Sequence, residues 1–351
     1  MLDIIIPVYN THKEYLKQCL ESISQQSFER YRVTLVDDGS DEVTAELLDE
    51  FCEHYDRVSV IHKTNGGVSS ARNAGLAQTT AEYVMFMDAD DFLKDNVLEE
   101  MMNHVQESEA DITCFAGVNY LSDGTEKQRN CALNAYTIEG KDAIEQFQCE
   151  FLASLPCGNT KYRDILEYDV VWAKVFHREV LKGVVFSTEL WAGEDKLFMY
   201  DVIGKSSKIS YFPMIVYHYR INELSTVHSF RKDACENTNR FLDLVIRNHD
   251  DLLQNALYRR AYYLKTLECL GFLFKYYLQP CNAKKYKWTM ADFLKIMKRE
   301  PYNSIHREIA LNEIKKLPRN VAVTLLFLKL HMKRLLYMYK RNRLKKYRYV
   351  E

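Results

Sequence analysis

Over the first hundred positions the apolar residues switch between two spacings. Leu2 to Val8 is an almost unbroken apolar run, the pattern of a strand covered on both faces. Behind it Tyr15, Leu16, Cys19, Leu20 and Ile23 share one face of a helix, and Thr11 followed by Glu14 predicts a capping box at its start. Tyr31 to Val36 reads as a second strand, followed by a helix with Val43, Leu47, Leu48 and Phe51 facing inward. The alternation repeats with strand Val58 to Ile61, helix Val68 to Ala77, strand Tyr83 to Met87 and helix Asn96 to Val105. Strands separated by helices predict right-handed crossovers into a largely parallel sheet, an α/β layered domain. Ligands collect at the carboxyl ends of such strands. Three ends carry polar clusters: Tyr9 and Asn10, Asp37 and Asp38, and Asp88 to Asp91.

From about 120 to 225 the pattern is less regular, with strands expected at Val184 to Phe186 and Ile209 to Tyr219. Residues 230 to 315 read as helical, with a break at Pro280 to Asn282. Past Pro318, Val321, Leu325, Leu328, Met332, Leu335 and Met338 stand at helical spacing among Lys329, Lys333, Arg334, Lys340 and Arg341.

The length, 351 residues, predicts about two domains. With 47% hydrophobic and 27% charged residues, and only 12 Gly and 6 Pro, a disordered chain is excluded. The net charge of −2 offers no global field for nucleic acid, and no nucleic-acid partner is expected. That average hides a basic tail: from Lys315 onward the charge is +11, against −13 for the preceding residues. Nine cysteines, with no CxxC pair, disfavour a disulfide framework and a zinc cluster, and fit a reducing cytoplasm. No charge-free run exceeds eleven residues and Asp3 leads straight into a strand, so neither a membrane-spanning helix nor a signal peptide is expected.

Asp88, Asp90 and Asp91 on a strand-end turn have the spacing to hold a hard divalent cation, Mg2+ or Mn2+, through oxygen. A solvated turn capping the next helix is the plain alternative. Asp37 to Ser40 serves either as a helix start, with Ser40 or Asp41 as N-cap, or as an acceptor for a nucleobase N–H or a ribose hydroxyl. Pro7 to Asn10 replaces the GxGxxG of a dinucleotide fold, and no GxxxxGK[ST] loop is present, which disfavours NAD and P-loop chemistry. Asn65 to Gly67 reads as a loop leading into a helix that carries Arg72, directed at phosphate or base or simply at the surface. Glu194 and Asp195 fall in the first turn of a helix, which acidic residues also favour for dipole reasons alone.

Together the segments IIIPVYN, VDDGS, NGGVSSARNAG, MDADD, VWAKVF and WAGEDKLF, in this order, resemble glycosyltransferase family 2 with its GT-A fold over residues 1 to about 225. The resemblance implies a nucleotide-diphosphate sugar donor, a divalent metal and inversion at the anomeric carbon. It puts Pro7 and Tyr9 beside the donor base, Asp38 on the uracil N–H of a UDP-sugar, and Arg72 on the nucleotide. Asp88 then lies near ribose or metal and Asp90 is the principal ligand, with Asp91 as a further candidate. Asp195 corresponds to the family's general base, beside Glu194. Trp172 and Lys174 match a segment between the donor and acceptor sites, and Trp191 has the ring to stack on a sugar face; core packing is the alternative for both tryptophans. His218 is either a late metal ligand or a structural histidine at a strand end.

The expected organisation is a GT-A catalytic domain at 1–225 (nucleotide half about 1–118, acceptor half about 119–225), a helical accessory region at 226–315 and a basic amphipathic tail at 316–351. The reading is a metal-dependent inverting glycosyltransferase that transfers a sugar to a glycan or lipid-linked saccharide in surface polysaccharide or glycoconjugate synthesis. It is expected in the cytoplasm, with the tail on the anionic inner face of the plasma membrane. The alternative is a catalytically inactive sugar-nucleotide-binding or scaffold subunit, disfavoured by retention of both DADD and the ED pair. A nucleotidyltransferase is weaker still, because the Gly-rich basic phosphate loop near the N-terminus is missing.

Overall fold

The computed structural model describes residues 1–129, 132–154, 169–221, 230–249 and 253–345. The 225/226 boundary, Cys131, Cys157 and the tail cations Lys346 and Arg348 lie outside the described residues. The chain divides into two compact units, Met1–Glu145 with Asp164–Val227, and Gln146–Arg163 with His228–Glu351.

The first unit begins with β1 (Leu2–Val8), α1 (Lys13–Ser24), β2 (Tyr31–Asp37), α2 (Glu42–His54), β3 (Val58–His62), α3 (Val68–Gln78), β4 (Tyr83–Phe86), β5 (Phe92–Leu93) and α4 (Leu98–Ser108). It continues through β6 (Ile112–Tyr120), β7 (Glu126–Gln128), β8 (Tyr136–Glu139), α5 (Lys141–Ala153), β9 (Lys174–His177), α6 (Arg178–Leu181), α7 (Glu194–Lys205) and β10 (Lys208–Arg220). Helix α5 passes from the first unit into the second. The strands form one sheet of order β3-β2-β1-β4-β9-β6-β10-β5, with β7 on β6 and β8 on β10.

Strands β1 to β4 are parallel, as the βα alternation predicts. Beyond them the sheet is mixed: β9 runs antiparallel between β4 and β6, and β10 is parallel to β6. Strand β6, buried over its first seven residues, gives no alternation to read and was not foreseen. The core fills the sheet face under α1 and α4, with Leu2, Ile4, Ile6, Leu16, Cys19, Met101 and Trp172 all buried.

Three local expectations are corrected. The first helix is capped at His12 without a side-chain bond: Asn10, at φ 47°, ties the preceding loop to Ser40 and Asp41, and Thr11 falls one residue before the capping position. Val43 is exposed; α2 instead buries Thr44, Leu48 and Phe51, and Asp41 caps it through Thr44 N. Val184 to Phe186 forms no strand, because the Asn73 side chain satisfies its backbone, with Nδ2 donating to Phe186 O and Oδ1 accepting from Phe186 N, both at 2.8 Å.

The second unit holds α8 (Ala234–Arg247), α9 (Ala256–Leu278), α10 (Pro280–Ala283), α11 (Met290–Ile296), α12 (Ile305–Glu308), a 3-10 turn, α13 (Arg319–Lys329) and α14 (Lys333–Lys345). The break foreseen near Pro280 is an extended Gln279 followed by Pro280 at the start of α10, where its missing N–H has no helical partner to lose. Its core is aromatic, with Phe274, Trp288, Phe293 and Tyr337 in mutual ring contact. The apolar spacing past Pro318 does not make one helix. His331, at φ 56°, separates α13 from α14, and Leu325, Leu328, Leu336 and Tyr337 are buried while Met332, Leu335 and Met338 are not.

Candidate active site

The parallel strands bring their carboxyl ends to one rim of the first unit, and the site is built there around a buried arginine. Arg72 sits on α3, only 3% exposed, above the ring of Phe186 at 5.3 Å. Its Nη1 donates to Asp195 Oδ1 at 2.6 Å and its Nη2 to Asp88 Oδ1 at 2.8 Å. One guanidinium therefore joins the end of β4 to the first turn of α7, residues 16 and 123 positions away in sequence. A fork of fixed N–H directions suits this double role, and a lysine could not reproduce it. Both terminal nitrogens of Arg72, expected to support the nucleotide, are engaged by carboxylates at the rim.

Helix α7 is fixed because it is buried nearly all round, with Leu197, Phe198, Met199, Tyr200, Val202 and Ile203 in the core. Gly193 precedes it at φ 89°, a left-handed conformation that an L side chain would strain. Asp195 follows, with its side chain about one-fifth exposed. Burial raises its pKa against the lowering pull of Arg72, and Glu194 and Asp88 add repulsion, so the carboxyl is pushed up to about 7. The helix N-terminus alone would have lowered it.

The DADD turn divides its carboxylates by environment. Asp91 is 1% exposed, accepting from Tyr217 Oη at 2.8 Å and from Arg220 N at 2.7 Å. With both oxygens engaged inside the fold it is a strut, and its candidacy as a metal ligand is corrected. Tyr217 Oη also accepts from Asp88 N, and Arg220 Nε donates to Asp90 O, so β10 holds the turn from below. Burial and the neighbouring Asp88 push the Asp90 carboxyl up to about 6.

Asp88, which Arg72 engages through one oxygen, and Asp90 thus form a pair of hard oxygen donors whose negative charge is only partly offset, which fits a divalent cation such as Mg2+ or Mn2+. Among the described residues no third His, Cys, Asp or Glu completes a ligand group. Further positions would fall to water and diphosphate oxygens, the usual arrangement for Mg2+. His218 is placed elsewhere: Nε2 lies 3.0 Å from Glu126 Oε1 and the ring stacks on Phe92 at 4.4 Å, so its reading as a ligand is corrected to a packing role.

Asp38 is buried at the end of β2, where its carboxylate accepts from Lys63 Nζ, Gly66 N and Gly67 N. The oxygens expected to meet a base N–H instead hold the loop that starts α3. Gly39, at φ 73°, lets that loop pass close by: a Cβ there would lie 2.7 Å from Asn65 N. Tyr9 remains exposed at the end of β1, with Pro7 partly buried two residues before it. Trp172 is corrected from an acceptor platform to core: it is 3% exposed, stacks on Tyr217 at 4.7 Å, and bears on Gly117. Lys174 is buried too, but its charge reaches Asp195 and lowers its pKa. Trp191 and Glu194 stand half-buried in the turn that opens α7.

The sequence reading missed Phe186, Asn73, Tyr217 and Lys63 as parts of this site. Asn73 lies inside the ARNAG segment and was the one available signal; the others are recognisable only from their partners.

The mixed α/β sheet with its polar rim is a GT-A fold, shared with the solved structures of S. aureus TarS. The sequence profile described as Glycosyl transferase family 2 matches residues 3–157. Glycosyltransferase GlyG of Streptococcus pneumoniae serotype 4 is 30% identical over 224 residues, covering 63% of this chain and 70% of that protein. The poly(ribitol-phosphate) beta-glucosyltransferase of Bacillus spizizenii is 26% identical over 232 residues, covering 63% of this chain but 32% of that protein. The crystal structure of S. aureus TarS 1-349 in complex with UDP-GlcNAc aligns over 100% of this chain and 93% of that one, with a TM-score of 0.68 and 16% identity. The chain belongs to glycosyltransferase family 2.

Proposed function

We propose that this protein is an inverting glycosyltransferase that moves a sugar from a UDP-sugar to a hydroxyl of a glycan or lipid-linked acceptor in surface polysaccharide or glycoconjugate synthesis. The observation that carries the reading is the Arg72 bridge, which ties a carboxylate with a pKa near 7 to Asp88 and so to the acidic pair at the end of β4. A relative named for poly(ribitol-phosphate) glucosylation and a like-folded protein holding UDP-GlcNAc support the donor class and the kind of polymer.

Asp195 takes the proton of the acceptor hydroxyl as its oxygen attacks the anomeric carbon. The new glycosidic C–O bond forms on the face opposite the diphosphate, the anomeric C–O bond to the diphosphate breaks, and its electron pair leaves with UDP. Arg72 is a positioning residue: it keeps the Asp195 oxygen aimed at the rim and limits how far burial raises its pKa. Asp88 and Asp90 would hold Mg2+ or Mn2+, which neutralises charge developing on the departing diphosphate. Tyr9, exposed at the strand end, offers a ring face to the base.

The test is Asp195→Asn with a panel of UDP-sugars. Transfer is expected to fall by at least about 10²-fold while UDP binding stays near wild type. Equal loss of both would remove Asp195 as the base, and UDP binding by neither protein would remove the donor assignment.

A further inference from the structure

Helices α13 and α14 each bury one face in the second unit, through Thr324, Leu325 and Leu328 and through Leu336 and Tyr337. Tyr337 Oη donates to Trp288 O at 2.8 Å, so the pair is anchored in the aromatic core. Their other faces are unusual for a water-exposed surface. Leu326, Leu330, Met332, Leu335 and Met338, five large apolar side chains within thirteen residues, are 39% to 57% exposed around the turn at His331. Scattered apolar residues are ordinary, but such crowding marks an interaction surface. Cations surround it: Lys315, Lys316, Arg319, Arg334 and Arg341 are exposed, and no acidic residue occurs from Ile314 to Lys345. Lys340 belongs to the fold instead, buried with Nζ donating to Asn320 O.

We propose that the α13–α14 hairpin docks on an anionic lipid bilayer, its cations at the headgroups and its apolar side chains in the upper acyl region. The charge selects this occupant. A second copy presenting the same face would oppose one uniformly positive surface to another. A soluble polyanion would neutralise the cations yet leave five apolar side chains in water. An anionic bilayer satisfies both sets. The helices have 11 and 13 residues, too short to cross, and no helix among the described residues is long and apolar enough to do so, so the pair lies in the interface.

The experiment is co-sedimentation of the full chain with phosphatidylcholine vesicles, with and without phosphatidylglycerol. Binding is expected with phosphatidylglycerol at low salt, and at least about tenfold weaker without it or at high salt. Arg334→Glu/Arg341→Glu and Leu330→Ser/Met338→Ser should each weaken it at least about tenfold, with unchanged melting temperatures because all four side chains are exposed. The proposal is overturned by absence of binding, by equal binding to both vesicles, or by the apolar pair having no effect, which would indicate a polyanion site. Concentration-dependent dimers dispersed by Leu330→Ser/Met338→Ser, without vesicle binding, would assign the face to a second copy. Nucleotide binding at the other unit has its own readout, so either result leaves the transferase reading separately testable.

Discussion

Arg72 is the residue on which the site's electrostatics turn, since its charge opposes the effect that burial has on Asp195. Replacing it with Met would leave Asp88 and Asp195 without the cation that bridges them. Breaking a buried pair in this way costs about 3–5 kcal/mol, measurable as a lower urea midpoint. The pH profile separates this from simple loosening. Asp195 must be ionised to act as base, so wild-type kcat/KM should rise with pH and level off above about 7. In Arg72→Met the lowering influence is gone, the Asp195 pKa climbs, and the acid limb should move to higher pH; an unmoved limb would show that Arg72 does not set the base. The raised pKa also bears on stability. A carboxyl whose folded pKa exceeds its unfolded value makes the fold lose stability as pH rises from about 4 through 7, so the ion pair with Arg72 offsets a penalty the active form would otherwise bear in full.

The element that carries Arg72 is held by a close approach rather than by a large apolar face. Helix α3 buries Ser69, Ala71, Arg72 and Gly75 against the sheet, and a Cβ at Gly75 would lie 2.4 Å from Ile5 Cγ2 in β1. Gly75→Ala should therefore cost about 1–3 kcal/mol by pushing α3 off the strand, and lower kcat more than KM because Arg72 moves with it. A variant with wild-type stability and kcat would show that the sheet yields freely at Ile5. This scale also explains what could be read beforehand. Strands β1 to β4 and helices α1 to α3 announce themselves because short apolar runs alternate with helical spacings. Strand β6 does not, because Thr113 and Gly117 break its apolar run, and Val184 to Phe186 looks like a strand while its hydrogen-bond partner is the side chain of Asn73. Within the candidate site, residue types and spacing single out Asp88, Asp90 and Asp91, while Asp195 gains a role only through the family resemblance. Spacing cannot separate Asp90 from Asp91, because their difference is made by Tyr217 and Arg220, more than 125 positions away.

At the scale of the whole molecule, two units share one chain, and the candidate site residues all belong to the first. A ligand that binds only the folded state stabilises it by RT ln(1 + [L]/Kd), about 2.7 kcal/mol at a hundredfold excess over Kd. UDP with Mn2+ should accordingly raise the unfolding temperature of the intact chain, and a chelator should remove most of that gain. Asp90→Asn should behave like wild type in the chelator, because the remaining Asp88 is already shared with Arg72 and holds a cation poorly alone. The same substitution without nucleotide should leave stability unchanged or improved. It removes a carboxylate that burial and Asp88 both disfavour, whose folded pKa of about 6 makes it a liability above pH 4 and increasingly so up to pH 6. Differential scanning calorimetry over that range, with and without UDP and Mn2+, reads both effects in one series. A metal-independent UDP shift of full size in wild type would remove the cation from the acidic turn, and would leave Asp90 without the partner its environment calls for.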